Sequence, residues 1–433
     1  AAVILRWSVV QERITLPLAV LAAFVLINGI STFYAVSGKF ALHEFVKVLA
    51  SFSLVLLLLA LAPREKGDAG RWIATGLEGA AAISGLLSID LLSTRWLSGP
   101  VLGLLSKFSS EYANLGGVEA GVRMTSIFMN PNIFAGCVGI GVLLSLGSVQ
   151  SSEKEERVLH LCFLFVNALS FVLAFSMGAS ASIAVAFVLF LLLEKKERRG
   201  GLFVLMAETL VITLVCVFPI AVTSFDVWDG FQPVPMLCVI AGFAVLCLAD
   251  RFVGQKLNGV LEKHGKWIPV VIGGAAVLLV VFAAAALNLT GAAELSAGES
   301  LRRAAYPEAG EYTLISQVDG AVNVTIESQN QQETMMHTGT VLYSGPLAQA
   351  AFTVPEDSMV VYFNFHAQEA VTLEQVEYQG TNGSGSLPLH YTLLPNFIAN
   401  RLQGLFANEN AIQRLVFFDD GIKLFQRSPI IGL

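Results

Sequence analysis

The sequence is poor in charge: Asp, Glu, Lys and Arg make up only 14% of its 433 residues. Soluble globular domains carry roughly 25%, so this scarcity excludes an ordinary water-soluble protein. There is no basic excess either. The formal net charge is -7, which excludes the electrostatic footprint of a nucleic-acid binder. Cysteine is sparse, and Cys137, Cys162, Cys216, Cys238 and Cys247 all lie in or beside apolar runs without metal-type spacing. They read as small core hydrophobes, so no metal and no cofactor is expected. What the chain has in quantity is apolar surface. Hydrophobic residues make up 55% and the mean hydropathy is +0.68. The few charges are bunched between long apolar runs, as in a chain whose solvent is a lipid bilayer. The chain opens at Ala1 and stops at Leu433, and we expect a piece of a longer protein.

A bilayer-crossing helix needs about 20 mostly apolar residues. Nine stretches qualify: 14–35, 41–62, 72–92, 130–149, 158–178, 179–193, 201–222, 234–249 and 268–287. The fifth and sixth fit only as a hairpin turning at Met177 to Ser180. Lys and Arg in the short loops set orientation. The loops 63–71, 150–157, 194–200 and 250–267 hold thirteen of them, and the alternate loops 36–40, 93–129 and 223–233 hold four. This bias predicts that the first set is cytoplasmic and that everything after about residue 288 is extracytoplasmic.

From 288 to 395 the chain changes character. Glu311-Tyr-Thr-Leu-Ile-Ser-Gln-Val318 and Val322-Asn-Val-Thr-Ile-Glu-Ser328 alternate apolar and polar residues around Asp319-Gly320, a strand–turn–strand signature. Met359 to Phe365 and Val371 to Tyr378 read as further strands, and Thr381-Asn-Gly-Ser-Gly-Ser386 as a flexible close. The expected fold is therefore an all-α polytopic membrane bundle over 1–287 with an inserted extracytoplasmic β-sandwich over 288–395. A helical segment over 396–433 follows, with Ile412, Leu415, Val416, Ile422 and Phe425 near a 3.6-residue period and Ser428-Pro429 as its stop. It is amphipathic, and suits a membrane surface or the flank of the bundle.

Two phrases carry more information than apolar filler needs. One is Arg123-Met-Thr-Ser-Ile-Phe-Met-Asn-Pro-Asn-Ile-Phe-Ala135, at the head of the fourth span. Asn130 suits a helix cap and Pro131 a first turn. The other is Arg414-x3-Phe418-x-Asp420-Gly-x-Lys-x-Phe-x-x-Ser-Pro-Ile-Ile-Gly432. Together, in this order, they resemble the O-antigen ligase and polymerase superfamily of bacterial envelope glycan enzymes. Members carry an Arg … Asn-Pro-Asn-x-x-Ala phrase at the head of a middle span and an outer loop with Arg-x3-Trp and then Pro-x-x-Gly. The pattern Gly310-Glu-Tyr-Thr-Leu with the later Val-Thr-Leu-Glu-Gln-Val-Glu resembles jelly-roll carbohydrate-binding modules.

The resemblance implies transfer of a glycan from undecaprenyl diphosphate to an acceptor hydroxyl on the outer face of the bacterial cytoplasmic membrane, without nucleotide sugar or metal. Its implied partners are the lipid-linked glycan and the bilayer, with glycan contact by the outer domain. By motif match Arg414 is the catalytic candidate, since a planar guanidinium can hold the diphosphate as its charge develops. Arg401, Arg123, Asn130 and Asn132 are candidates for substrate binding. Arg401 equally suits a lipid headgroup, and Arg123 equally suits a helix C-terminus. Two departures favour a silent glycan-binding homologue. Where the family carries Ser-Arg-Gly-Ala, with an arginine on the diphosphate, this chain reads Ser176-Met177-Gly178-Ala179. The family's general-base histidine lies beyond the Pro-x-x-Gly turn, and none of His43, His160, His264, His337, His366 or His390 matches it. Glu78 and Asp90 lie within the third span, where a carboxylate is costly and suggests function. Asp90 is placed to reach water. Glu78 suits a proton site, and would point instead to a transporter of the polyprenyl-linked glycan.

Overall fold

The computed structural model describes residues 7–12, 14–61, 68–115, 118–119, 123–224, 231–254, 256–257, 259, 268–318, 322–336, 338–393 and 409–429. The helices are α1 (Leu16–Ser31), α2 (Gly38–Leu61), α3 (Asp68–Leu91), α4 (Ser98–Leu105), α5 (Pro131–Ser151), α6 (Lys154–Leu173), α7 (Met177–Leu193), α8 (Lys196–Ser224), α9 (Val234–Ala249) and α10 (Ile268–Asn288), then the short α11 (Gln331–Met336) and α12 (Glu409–Arg427). Among the described residues, six helices are long and apolar enough to cross a membrane: Gly38–Leu61, Gly70–Leu91, Pro131–Ser151, Glu155–Leu173, Lys196–Thr223 and Val234–Gly254. Leu16–Ser31 and Met177–Leu193 are apolar but shorter. The turn between the fifth and sixth expected spans falls at Ala174–Ser176, a few residues before the expected position, because Ser176 caps α7.

The chain divides into two compact units. The helical unit comprises Ala1–Ala22 and Leu49–Ile272. Its centre is α3, α5 and α6, packed on one another, with α8 and α9 against α6. Small residues let these backbones approach, as membrane helices require in the absence of a hydrophobic drive between them. A Cβ on Gly141 of α5 would lie 2.8 Å from Ala81 Cβ of α3 and 2.6 Å from Asn167 Nδ2 of α6. One on Gly242 of α9 would collide with the Phe165 ring and Cys216.

The second unit comprises Ala23–Val48 and Gly273–Leu433. Its strands are β3 (Thr290–Gly291), β4 (Ala293–Leu295), β5 (Ser300–Ala305), β6 (Gly310–Ser316), β7 (Val322–Gln329), β8 (Thr340–Pro346), β9 (Ala351–Val354), β10 (Val360–Ala367), β11 (Val371–Leu373), β12 (Val376–Gly380), β13 (Gly383–Ser386) and β14 (His390–Tyr391); the helical unit has one two-residue pair, β1 (Val118–Glu119) with β2 (Arg123–Met124). Two antiparallel four-stranded sheets, ordered β5-β10-β7-β8 and β13-β12-β6-β9, share one apolar core. Phe363 of the first sheet meets Phe352 edge-on at 5.6 Å and stacks on Tyr378 at 6.3 Å, both on the second. Two-residue alternation supplies this core: Tyr312 and Leu314 on β6, Val322, Val324 and Ile326 on β7, and Val361, Phe363 and Phe365 on β10 point inward.

Three sequence expectations need correcting here. The runs 311–318 and 322–328 are both strands, but they do not form a hairpin. β6 pairs with β9 and β12, β7 with β10 and β8, so the chain changes sheets between them; Asp319-Gly320 lies outside the described residues. The run 371–378 is broken at Glu374-Gln375, with Val371–Leu373 pairing β4 and Val376–Gly380 pairing β6 and β13. The Gly/Ser stretch expected to be a flexible close is largely the edge strand β13; after it Leu387 and Leu389 join the core and Tyr391 is buried.

Candidate functional site

The Asn-Pro-Asn phrase folds as a capped helix start. Asn130 is extended (φ -141, ψ 116), and its side-chain oxygen accepts the backbone N–H groups of Asn132 and Ile133 at 2.9 and 3.2 Å, with Pro131 in the first turn. The Ser-Met-Gly-Ala phrase starts α7 in the same way: Ser176 is extended and its hydroxyl accepts the Ala179 N–H. Each cap follows a residue in the left-handed region, Met129 (φ 53) before Asn130 and Phe175 (φ 45) before Ser176. Non-glycine residues rarely adopt that region, and such strain concentrates at functional sites.

Asn132 joins the two phrases. Its side-chain carbonyl accepts one hydrogen bond from Arg123 Nη2 at 2.8 Å and another from the Ser176 hydroxyl at 2.9 Å. A guanidinium therefore stands at the beginnings of two apolar helices, whose unpaired N–H groups carry partial positive charge. Such a place favours an anion. Asn130 and Asn132 are exposed and Arg123 is half-buried. Met177, where the family pattern has arginine, is 42% exposed. The group that Arg123 Nη2 meets is a side chain at a helix N-terminus. Comparison with known proteins finds no matching family model, no matching curated protein and no matching solved structure.

Arg414 lies on the second unit, exposed on α12. Around it on that helix Phe417, Phe418, Ile422, Leu424 and Phe425 are exposed apolar side chains. Lys423 pairs with Asp419, and the hydrogen bond it donates to that carboxylate holds its ammonium above the usual lysine range. Arg401 lies outside the described residues. Arg414 and the Arg123–Asn132–Ser176 cluster thus belong to different units.

Sequence reasoning missed several groups. Ser176 was noted only as part of a motif, yet it carries the link between the two phrases. Asp90 does not reach water: it is fully buried and accepts from the Leu97 and Ser98 N–H groups, each at 2.8 Å, and from the Ser98 and Thr94 hydroxyls at 2.9 and 2.6 Å, anchoring the start of α4. Arg157 makes a two-point ion pair with Asp250 at 2.9 and 2.6 Å. Arg157 closes the charged stretch Lys154-Glu-Glu-Arg157, and its partner lies 93 residues away, so nothing local in the sequence joined them. No group of three or more His, Cys, Asp or Glu able to hold a metal ion occurs among the described residues.

Proposed function

We propose that the chain is a membrane-embedded transferase of the O-antigen ligase and polymerase type. It would move a glycan from undecaprenyl diphosphate to an acceptor hydroxyl at the outer face of the bacterial cytoplasmic membrane. The observation that supports this best is the meeting of Arg123, Asn132 and Ser176, because it brings the Asn-Pro-Asn phrase and the Ser-Met-Gly-Ala stretch to one anion-favouring place. In this reading all nine apolar helices span the bilayer. Residues from about 288 onward are extracytoplasmic, the two-sheet domain is a jelly-roll-like sandwich that touches glycan, and α12 lies at the membrane surface with its exposed phenylalanines toward lipid. Arg414 stabilises the departing diphosphate; Arg123, Asn130 and Asn132 help hold the donor, and Arg401 contacts headgroup or donor phosphate.

The test is glycan transfer from a polyprenyl-diphosphate donor in proteoliposomes. Arg414→Ala and Arg414→Lys should insert normally and each lose roughly a hundredfold in rate, about 3 kcal/mol of transition-state stabilisation. Lysine fails too because it lacks the planar two-point grip. Wild-type activity in Arg414→Ala would remove the assignment. Orientation is tested separately, by an impermeant thiol reagent: cysteines placed at 194–200 should be protected and those at 338–380 should react. A second reading, a glycan-binding membrane protein of the same fold without transfer activity, is favoured by Met177 in the arginine position, and Glu78 would point instead to a transporter of the polyprenyl-linked glycan. No transfer by the wild type with several donors would support it.

A further inference from the structure

Glu78 on α3 is 0% exposed and His160 on α6 is 4% exposed. Their Oε1 and Nδ1 atoms stand 2.7 Å apart. The approach is short but poorly directed: neither oxygen of Glu78, nor His160 Nδ1, completes a hydrogen bond among the described residues. Asn167 reaches the same turn of α3, donating to the Glu78 backbone carbonyl at 3.2 Å. Its own Oδ1 and the hydroxyls of Ser145 and Ser170 are likewise buried without a hydrogen-bond partner. Native interiors leave few such atoms unsatisfied, and a bound species is one of the explanations each invites.

The charges nearby are spoken for. One turn before His160 on α6, Arg157 is neutralised by Asp250 at the end of α9. On α8, Glu208 lies against Gly254, and a carboxyl group supplies no cation. Among the described residues no ion pair joins Glu78 to any group but His160, so the pair must balance itself. With no proton it carries one negative charge, with two protons one positive charge, and only with one proton is it neutral. Either charged form is costly in a low-dielectric interior.

We propose that Glu78 and His160 form a buried proton-binding site in the helical unit, holding a single proton between the two side chains. The site stands apart from the transferase reading and holds whether or not the protein transfers glycan. Infrared spectroscopy of the protein in lipid vesicles at neutral pH tests it. Subtracting the Glu78→Gln spectrum from that of the wild type should leave one proton signal, either the carbonyl stretch of a protonated carboxyl or an imidazolium mode. His160→Gln removes the partner, so Glu78 must keep a proton of its own. That variant should show the protonated-carboxyl band, and Glu78→Gln/His160→Gln should lose it. Should His160→Gln fail to insert, the wild-type minus Glu78→Gln difference decides alone. A difference containing only ionised carboxylate would overturn the proposal, as would a His160→Gln protein whose Glu78 stays ionised.

Discussion

In the helical unit many large apolar side chains point outward, as Ile140, Val188, Leu189, Leu192 and Val215 do, while Glu78, Asp90, Ser145, Asn167 and Ser170 are buried along with Phe134, Phe165 and Leu169. In the two-sheet region of the second unit the arrangement is reversed: Phe352, Phe363, Phe365 and Tyr312 are inside, and outward positions along β6 and β10 are mostly polar. The difference is one of solvent. A chain in lipid gains nothing by hiding Leu from hydrocarbon, so helix association draws on close packing and on polar groups that find partners. A chain in water gains about 25 cal/mol for each Å² of apolar surface removed from it. The interior polar groups of the helical unit are therefore specific choices, whereas those of the sheets are exceptions.

The largest effect that would sharpen this contrast is expected at Glu78. Glu78→Leu should cost on the order of 3–5 kcal/mol, because the partner imidazole is left buried without compensation. Glu78→Leu/His160→Leu should recover most of the loss, read as thermal unfolding in detergent. A double variant as unstable as the single would show that the pair is not the coupled unit described here.

Next is a matched pair of substitutions at the same residue type. Ile140 in mid-α5 is 59% exposed and Ile315 on β6 is 48% exposed. Ile140→Lys should cost about 3 kcal/mol of membrane insertion, and Ile315→Lys less than about 0.5 kcal/mol. Equal tolerance at both positions would break the comparison, since one face would then not be turned to lipid.

Among the described residues Arg303 is the charged exception inside the sheets. It is 3% exposed and donates to the carbonyls of Pro388 and Leu389 and to that of Arg302. Burial pulls its guanidinium below the usual arginine value, with the Tyr391 phenol acting the other way. Arg303→Met keeps the length but leaves those carbonyls unpaired, at a cost of about 2 kcal/mol. Hydrogen exchange should quicken first at 387–391, the segment the guanidinium holds.

The smallest effect is at the helix cap. Asn130→Ala should cost about 1 kcal/mol, visible as a small loss of thermal stability while Asn132 still binds Arg123 and Ser176. A loss several times larger would mean that Asn130 supports the cluster and does more than start α5.

Much of the helical layout was legible because a span announces itself within a single window of residues, and Asn130 and Pro131 announced the start of α5. The strands were legible individually for a similar reason: alternation in 311–318 and 322–328 reports which face each residue takes. It does not report the neighbour, since the same pattern serves any partner strand. The hairpin expectation failed on that point. Gly383–Ser386 was misread because composition signals flexibility where edge pairing with β12 orders the chain. In the candidate site, Arg123, Asn130 and Asn132 could be named from their phrase, while the place of Ser176 beside them could not.

By itself the sequence determined that this is a membrane chain, where its apolar helices run, and that a water-facing, strand-rich region follows them. These properties depend on local composition and period, which a linear string states outright. Only the tertiary structure decided that β6 and β7 belong to different sheets, that Asn132 ties Arg123 to Ser176, and that Glu78 meets His160. Each of these depends on an atom brought close by packing from far along the chain, and the free energy of such a contact resides in the pair and in neither residue alone.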